Sequence, residues 1–138
     1  MKAILSEKTR ITIQFYDLDP MSVCWHGNYV RFFEQARCAL LRKIEYDYPQ
    51  MNESGFYWPV IDLQIRYIKT LTYGQEVDVV ANLVEYENYL KTEYEIFDSQ
   101  SGDRLPKGMT KQVAVRQSDM EMQLVSPKVL VQKVKKVI

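Results

Sequence analysis

The stretch 15–37 reads FYDLDPMSVCWHGNYVRFFEQAR, and the rest of the chain arranges itself around it. Two acids, Asp17 and Asp19, a turn-forming Pro20 and the chain's single histidine, His26, stand directly ahead of a helical pattern. From residue 28 to about 46, Tyr29, Phe32, Phe33, Ala36, Leu40, Leu41 and Ile44 recur at spacings of three and four, which predicts one amphipathic helix. Asn28 suits its N-cap. About 18 residues at ~1.5 Å each make a helix roughly 27 Å long, and no other segment supports one of that length.

On either side of this helix the pattern has period two. Residues 10–16, RITIQFY, predict a first strand. After a loop carrying Pro49 and Gly55, four more strands follow. Ile61, Leu63, Ile65 and Tyr67 alternate with polar residues, as do Val77, Val79, Ala81 and Leu83, then Leu90, Thr92, Tyr94 and Ile96, and last Met109, Val113 and Val115. Turn residues separate them at Tyr73-Gly74, Glu87-Asn88 and Ser101-Gly102-Asp103. Ser126-Pro127 opens a tail that predicts a last short helix with Leu130, Val134 and Val137 inward. One long helix against a twisted antiparallel sheet of about five strands is an α+β architecture.

A chain of 138 residues is the size of one ordinary domain, so a single domain over 1–138 is expected. Eighteen basic residues balance eighteen acidic ones, which gives no overall charge argument for a nucleic-acid partner. Cys24 and Cys38 lack metal-ligand spacing and are expected as free thiols in a reducing cytoplasm. The apolar run at the N-terminus is too short for a signal peptide, and no stretch approaches the roughly 20 apolar residues of a membrane span. No metal site is expected.

The chemistry concentrates at the helix start. Unpaired backbone N–H groups and a partial positive charge there suit a carbonyl oxygen that is becoming an oxyanion. A carboxylate close by can attack that carbonyl or activate a water. These are the parts of an acyl-transfer site. Cys24 is close to His26, but a buried cysteine is most often a small hydrophobe. Ser22 has no acid–histidine pair to complete a triad. Glu34 and Arg37, three apart, are expected to pair at the surface.

The run D-x-D-P-x-x-x-x-W-x-x-N-Y followed by F-x-E-x-A-R, with Asp17, Asp19, Pro20, Trp25, His26, Asn28, Tyr29, Glu34, Ala36 and Arg37 as the matching residues, resembles the hotdog-fold acyl-CoA thioesterases of the 4-hydroxybenzoyl-CoA and Tol-Pal-associated type. The resemblance is strongest over residues 10–46 and weaker as far as about residue 127. It implies a hotdog fold, in which the sheet wraps the helix, and a homodimer or homotetramer with its sites between subunits. It implies Asp19 as nucleophile or base, His26 at the oxyanion site, and Asp17 as structural support. Trp25, Asn28, Tyr29, Lys91 and Lys111 become candidates for substrate binding. No cofactor is implied beyond the coenzyme A that enters with the substrate.

Three features depart from the family pattern. Ser22 stands where glycine is usual. The turn 85–90, EYENYL, is acidic and aromatic where the family carries basic residues for coenzyme A phosphates. Leu90 replaces a small polar residue. An acyl carrier protein as donor, or a non-catalytic module binding acyl chains or a protein partner, are the alternatives these departures favour.

Overall fold

The computed structural model describes residues 2–138. In chain order it contains β1 (Leu5–Thr12), α1 (Asn28–Lys43), α2 (Tyr48–Glu53), β2 (Phe56–Tyr57), β3 (Val60–Arg66), β4 (Glu76–Glu85), β5 (Leu90–Asp98), β6 (Arg104–Gln112), β7 (Val115–Arg116) and α3 (Lys128–Lys135). Five strands form one antiparallel sheet in the order β1-β4-β5-β6-β3, and β2 pairs with β7 apart from it.

The two periodicities meet in the core. Phe32, Phe33, Ala36, Leu40 and Leu41 on one stripe of α1 are buried, as are Val77, Val79, Ala81 and Leu83 of β4 and Leu90, Tyr94 and Ile96 of β5. Phe33 stacks on Tyr94 with ring centres 4.5 Å apart. Gly108 of β6 allows this approach: a Cβ there would lie 2.7 Å from the Phe33 ring and against the Gln64 carbonyl.

Several element boundaries differ from the sequence expectation, each for a local reason. The first strand lies at Leu5–Thr12 rather than 10–16. It is an edge strand whose polar alternation hides it, held in register from Leu5 opposite Leu83 to Thr12 opposite Glu76. Phe15–Asp17 is a 3-10 turn. Helix α1 stops at Lys43, where Glu45 takes a left-handed φ of 56° and the Glu45 and Tyr46 N–H groups turn back to the Arg42 and Leu41 carbonyls. The following loop contains α2, capped by Asp47, whose carboxylate accepts the Tyr48 N–H. Strand β6 begins at Arg104 rather than near Met109. Pro106 obscures it and sits where the β5–β6 register shifts between Glu95 and Phe97. In the tail, Leu130 and Val134 are buried but Val137 is exposed.

The N-cap of α1 is Gly27, not Asn28. Arg37 also differs from expectation. It does pair with Glu34, at 3.1 Å, but its side chain is 0% exposed. Its guanidinium donates to Tyr48 Oη at 2.7 Å, Thr110 Oγ1 at 3.3 Å and Tyr94 Oη at 3.4 Å. Position 37 is four residues after Phe33 and therefore faces the sheet, where the Tyr94 and Thr110 hydroxyls, with that of Tyr48 from α2, offset the cost of burying a cation. Among the described residues, no helix is long and apolar enough to cross a membrane, and both cysteines are free.

Candidate active site

The loop between β1 and α1 folds back on itself as a small ladder. The Trp25 N–H donates to the Asp17 carbonyl at 2.9 Å, Leu18 bridges Cys24, and the Asp19 N–H donates to the Val23 carbonyl at 2.8 Å. The segment before β4 runs alongside, with the Cys24 N–H on the Leu71 carbonyl at 2.8 Å. The loop tip is the turn from Asp19 to Ser22, closed by the Ser22 N–H on the Asp19 carbonyl, and Ser22 adopts φ 64°. The position therefore does have the left-handed backbone that favours glycine.

The two acids have different surroundings. The Asp17 side chain is only 3% exposed. One oxygen accepts the Gln14 N–H at 2.8 Å and the other accepts Arg31 Nη2 at 2.6 Å. The Asp17 carbonyl also receives Asn28 Nδ2 at 2.8 Å, so Asn28 ties the loop to the first turn of α1. Asp19 is half-buried. Its Oδ1 accepts the Met21 N–H at 2.8 Å and the Val23 N–H at 3.4 Å, while Oδ2 has no hydrogen-bond partner among the described residues. One oxygen thus holds the turn and the other is uncommitted.

At the helix start, the Asn28 and Tyr29 N–H groups donate to the Trp25 and His26 carbonyls. The His26 and Gly27 N–H groups have no acceptor among the described residues, and no side chain caps the helix. The His26 imidazole is exposed, 5.4 Å from the Trp25 ring and 6.4 Å from the Tyr67 ring, and no hydrogen bond joins it to Asp19. The Tyr67 hydroxyl reaches the His26 carbonyl at 3.5 Å. Tyr29 is buried against Tyr67 and Phe32, and burial pushes its phenol up to about 12. Burial also pushes the Cys24 thiol up to about 11, which keeps it protonated near neutrality and argues against a thiolate nucleophile.

Lys91 and Lys111 are not brought to this loop within one chain. They face each other across β5 and β6, with Lys111 Nζ 4.0 Å from the Tyr89 ring centre. Arg66, next to Tyr67, pairs with Lys107, whereas Lys111 pairs with Asp62. Four residues at ~3.3 Å put Lys111 roughly 13 Å farther along the sheet.

Comparison with known proteins gives this arrangement a family. The model of the thioesterase-like superfamily matches residues 13–132. The chain belongs to the thioesterase-like superfamily. It is 36% identical over 87 residues to the Bacillus subtilis protein named "Putative acyl-CoA thioesterase YneP", covering 63% of this chain and 62% of that one. The matches span 62% to 65% of the lengths of the three curated relatives. Among solved structures, the DHNA-CoA thioesterase from Staphylococcus aureus superposes with a TM-score of 0.78 at 28% identity, covering 86% of this chain and 80% of that one. A 4-hydroxybenzoyl CoA thioesterase mutant, complexed with 4-hydroxybenzoyl CoA, superposes with a TM-score of 0.80 and covers 94% of this chain and 98% of that one. At 15% identity that likeness speaks for the fold alone. The fold is the hotdog fold that the resemblance implies.

Three residues of this candidate site were not singled out from sequence. Arg31 holds Asp17, and its only sequence signal is its place three residues after Asn28, whose Oδ1 it also touches at 3.1 Å. Tyr67 read simply as a strand residue. Gly27 passed unremarked ahead of the helix.

Proposed function

We propose that this chain is a thioester hydrolase acting on acyl-CoA substrates, with Asp19 as the reacting carboxylate. One observation carries the proposal: a single loop leaves Asp19 Oδ2 and the N–H groups of His26 and Gly27 unengaged, on a family framework of thioesterases. The thioester carbonyl oxygen accepts from the two N–H groups, which stabilise the charge that develops on it. Asp19 either adds to the carbonyl carbon or takes a proton from a water that does so. The C–S bond then breaks, the thiolate is protonated as coenzyme A, and the acid leaves; by the first route, water opens the intermediate anhydride. Asp17 holds the loop, and Trp25, Asn28 and Tyr29 shape the wall of the site. No metal or redox cofactor takes part in the proposed step.

The working unit is a homodimer formed through β3. This edge strand exposes Val60, Ile61 and Leu63 beside an unpaired backbone edge, a surface that calls for pairing. Antiparallel pairing of Val60–Arg66 with a second copy sets Val60 against the second copy's Arg66. It also puts Pro59 beside the second copy's Tyr67, the residue that touches His26. Pro59, Trp58, Met51, Phe56 and Met120 line an apolar cavity of about 560 Å³. In this arrangement the cavity of one copy receives the acyl group cleaved at the Asp19 of the other.

A hydrolysis screen over short, long, aromatic and branched acyl-CoAs tests the proposal, with the same acyl groups on carrier protein alongside. Folded protein that hydrolyses none of them above the uncatalysed rate would refute it. The carrier-protein arm is warranted by the turn after β4. There the Glu85 carboxylate accepts the Glu87 and Asn88 N–H groups at 2.9 Å each, so acids stand where phosphates would otherwise approach. Sedimentation showing only a 16.3 kDa monomer at micromolar concentration would overturn the dimer.

A further inference from the structure

Gly27 has φ −65° and ψ −21°, a backbone that any L-residue adopts. Conformation therefore does not require glycine at this position; the Trp25 ring does, for as long as it holds the place it has here. A Cβ built on Gly27 would lie 2.5 Å from both Cη2 and Cζ3 of Trp25, and 2.9 Å from Cε3. The six-membered ring of the indole is seated directly on the Gly27 main chain. Trp25 is 50% exposed, so the ring covers Gly27 on one face and meets solvent on the other. The Trp25 backbone is fixed from both sides, its N–H on the Asp17 carbonyl and its C=O receiving the Asn28 N–H.

The peptide between His26 and Gly27 carries one of the two free N–H groups, that of Gly27, and the peptide just before it carries the other, that of His26. An apolar ring on one side of the 26–27 backbone excludes water there and limits how far the peptide can tilt. Both effects strengthen N–H groups aimed at a developing negative charge. Resting on the thioesterase reading above, we propose that Trp25 is a positioning residue for the oxyanion site, and that Gly27 is required because it is the seat of the Trp25 ring. The pair acts on the transition state more than on substrate capture.

The test is a double-mutant cycle of Gly27→Ala, Trp25→Ala and the double variant, read as kcat and KM separately on the best substrate of the screen. Gly27→Ala is expected to lower kcat roughly ten- to a hundred-fold, as displaced positioning groups do, with KM within threefold. Trp25→Ala should lower kcat to a similar extent and raise KM as well, since the ring also forms part of the wall of the site. The double variant should be no worse than Trp25→Ala, since without the ring the new methyl group meets nothing. Acrylamide quenching of tryptophan fluorescence follows the ring itself. Trp58, the other tryptophan, is buried and donates to the Tyr46 hydroxyl at 3.1 Å, so added quenching in Gly27→Ala reports Trp25 leaving its seat.

Wild-type kcat in Gly27→Ala would overturn the proposal. So would losses that multiply in the double variant, or quenching unchanged from wild type. A wild type with no turnover on any acyl thioester would sink the thioesterase reading and this inference with it. An active wild type with an unaffected Gly27→Ala sinks this inference alone.

Discussion

Helix α1 carries two polar clusters, one at its start and one at its middle, and they use their hydrogen-bonding groups in opposite ways. At the middle, Arg37 is fully buried and donates to Glu34, Tyr48, Tyr94 and Thr110, while the Tyr94 and Thr110 hydroxyls are themselves 2.7 Å apart. At the start, Asp17 is equally committed, but Asp19 Oδ2 and two backbone N–H groups are left over. A committed group holds a fold together, and an uncommitted one next to solvent is available to a substrate. The difference predicts that substitutions at the middle cost stability, and those at the start cost rate with little stability, Asp17 excepted.

Asp19→Asn should show the largest effect. The amide is nearly the same shape but is neither nucleophile nor base, so hydrolysis should fall roughly 10²- to 10⁴-fold while the unfolding midpoint barely moves. Turnover within threefold of wild type would remove Asp19 from the mechanism. Arg37→Ala should do the reverse. Losing a buried, multiply bonded side chain and leaving a void should cost about 3 kcal/mol in urea unfolding. A loss below about 1 kcal/mol would mean that the buried cluster contributes little, and the contrast between the two clusters would collapse.

His26→Ala isolates backbone from side chain within the first cluster. The N–H survives the substitution and the imidazole does not, so a rate loss of roughly ten- to a hundred-fold is expected. A variant as inactive as Asp19→Asn would show that the imidazole moves a proton. Full activity would leave the N–H group as the residue's whole contribution. Asp17→Asn tests the exception. It keeps a hydrogen-bonding side chain but loses the charge opposite Arg31, whose own side chain is 59% exposed and solvated. About 1–2 kcal/mol of stability should go, with a rate loss smaller than that of Asp19→Asn. The opposite ranking of the two acids would exchange their roles.

What could be read in the sequence follows from how local each cause is. Helix α1 and strands β4 and β5 were legible because their burial is periodic along the chain itself. Strand β1 is a polar edge and β6 contains Pro106, so their limits depend on partners elsewhere. That Asp19 and His26 share one short loop ahead of α1 was legible, because it is a matter of chain order. The burial of Arg37 was not, since Tyr94 and Thr110 are 57 and 73 residues away. The seat of Trp25 on Gly27 was hidden for another reason: a glycine just before a helix already has an ordinary explanation as a cap.

The smallest expected effect comes from Ser22, where the loop itself carries strain. Its φ of 64° costs a residue with a Cβ roughly 1 kcal/mol relative to glycine. Part of that is offset, because glycine also loosens the unfolded chain. Ser22→Gly should therefore stabilise the protein by about 0.5 kcal/mol, a rise of roughly 2 °C in the melting temperature. Its side chain is exposed, and the contacts that close the turn, the Ser22 N–H on the Asp19 carbonyl and the Met21 N–H on Asp19 Oδ1, are made by the main chain and by Asp19. The rate should thus stay within twofold of wild type. A stabilised variant that loses activity would mean that the strained turn aims Asp19, and that the start of α1 stores strain where its middle stores hydrogen bonds.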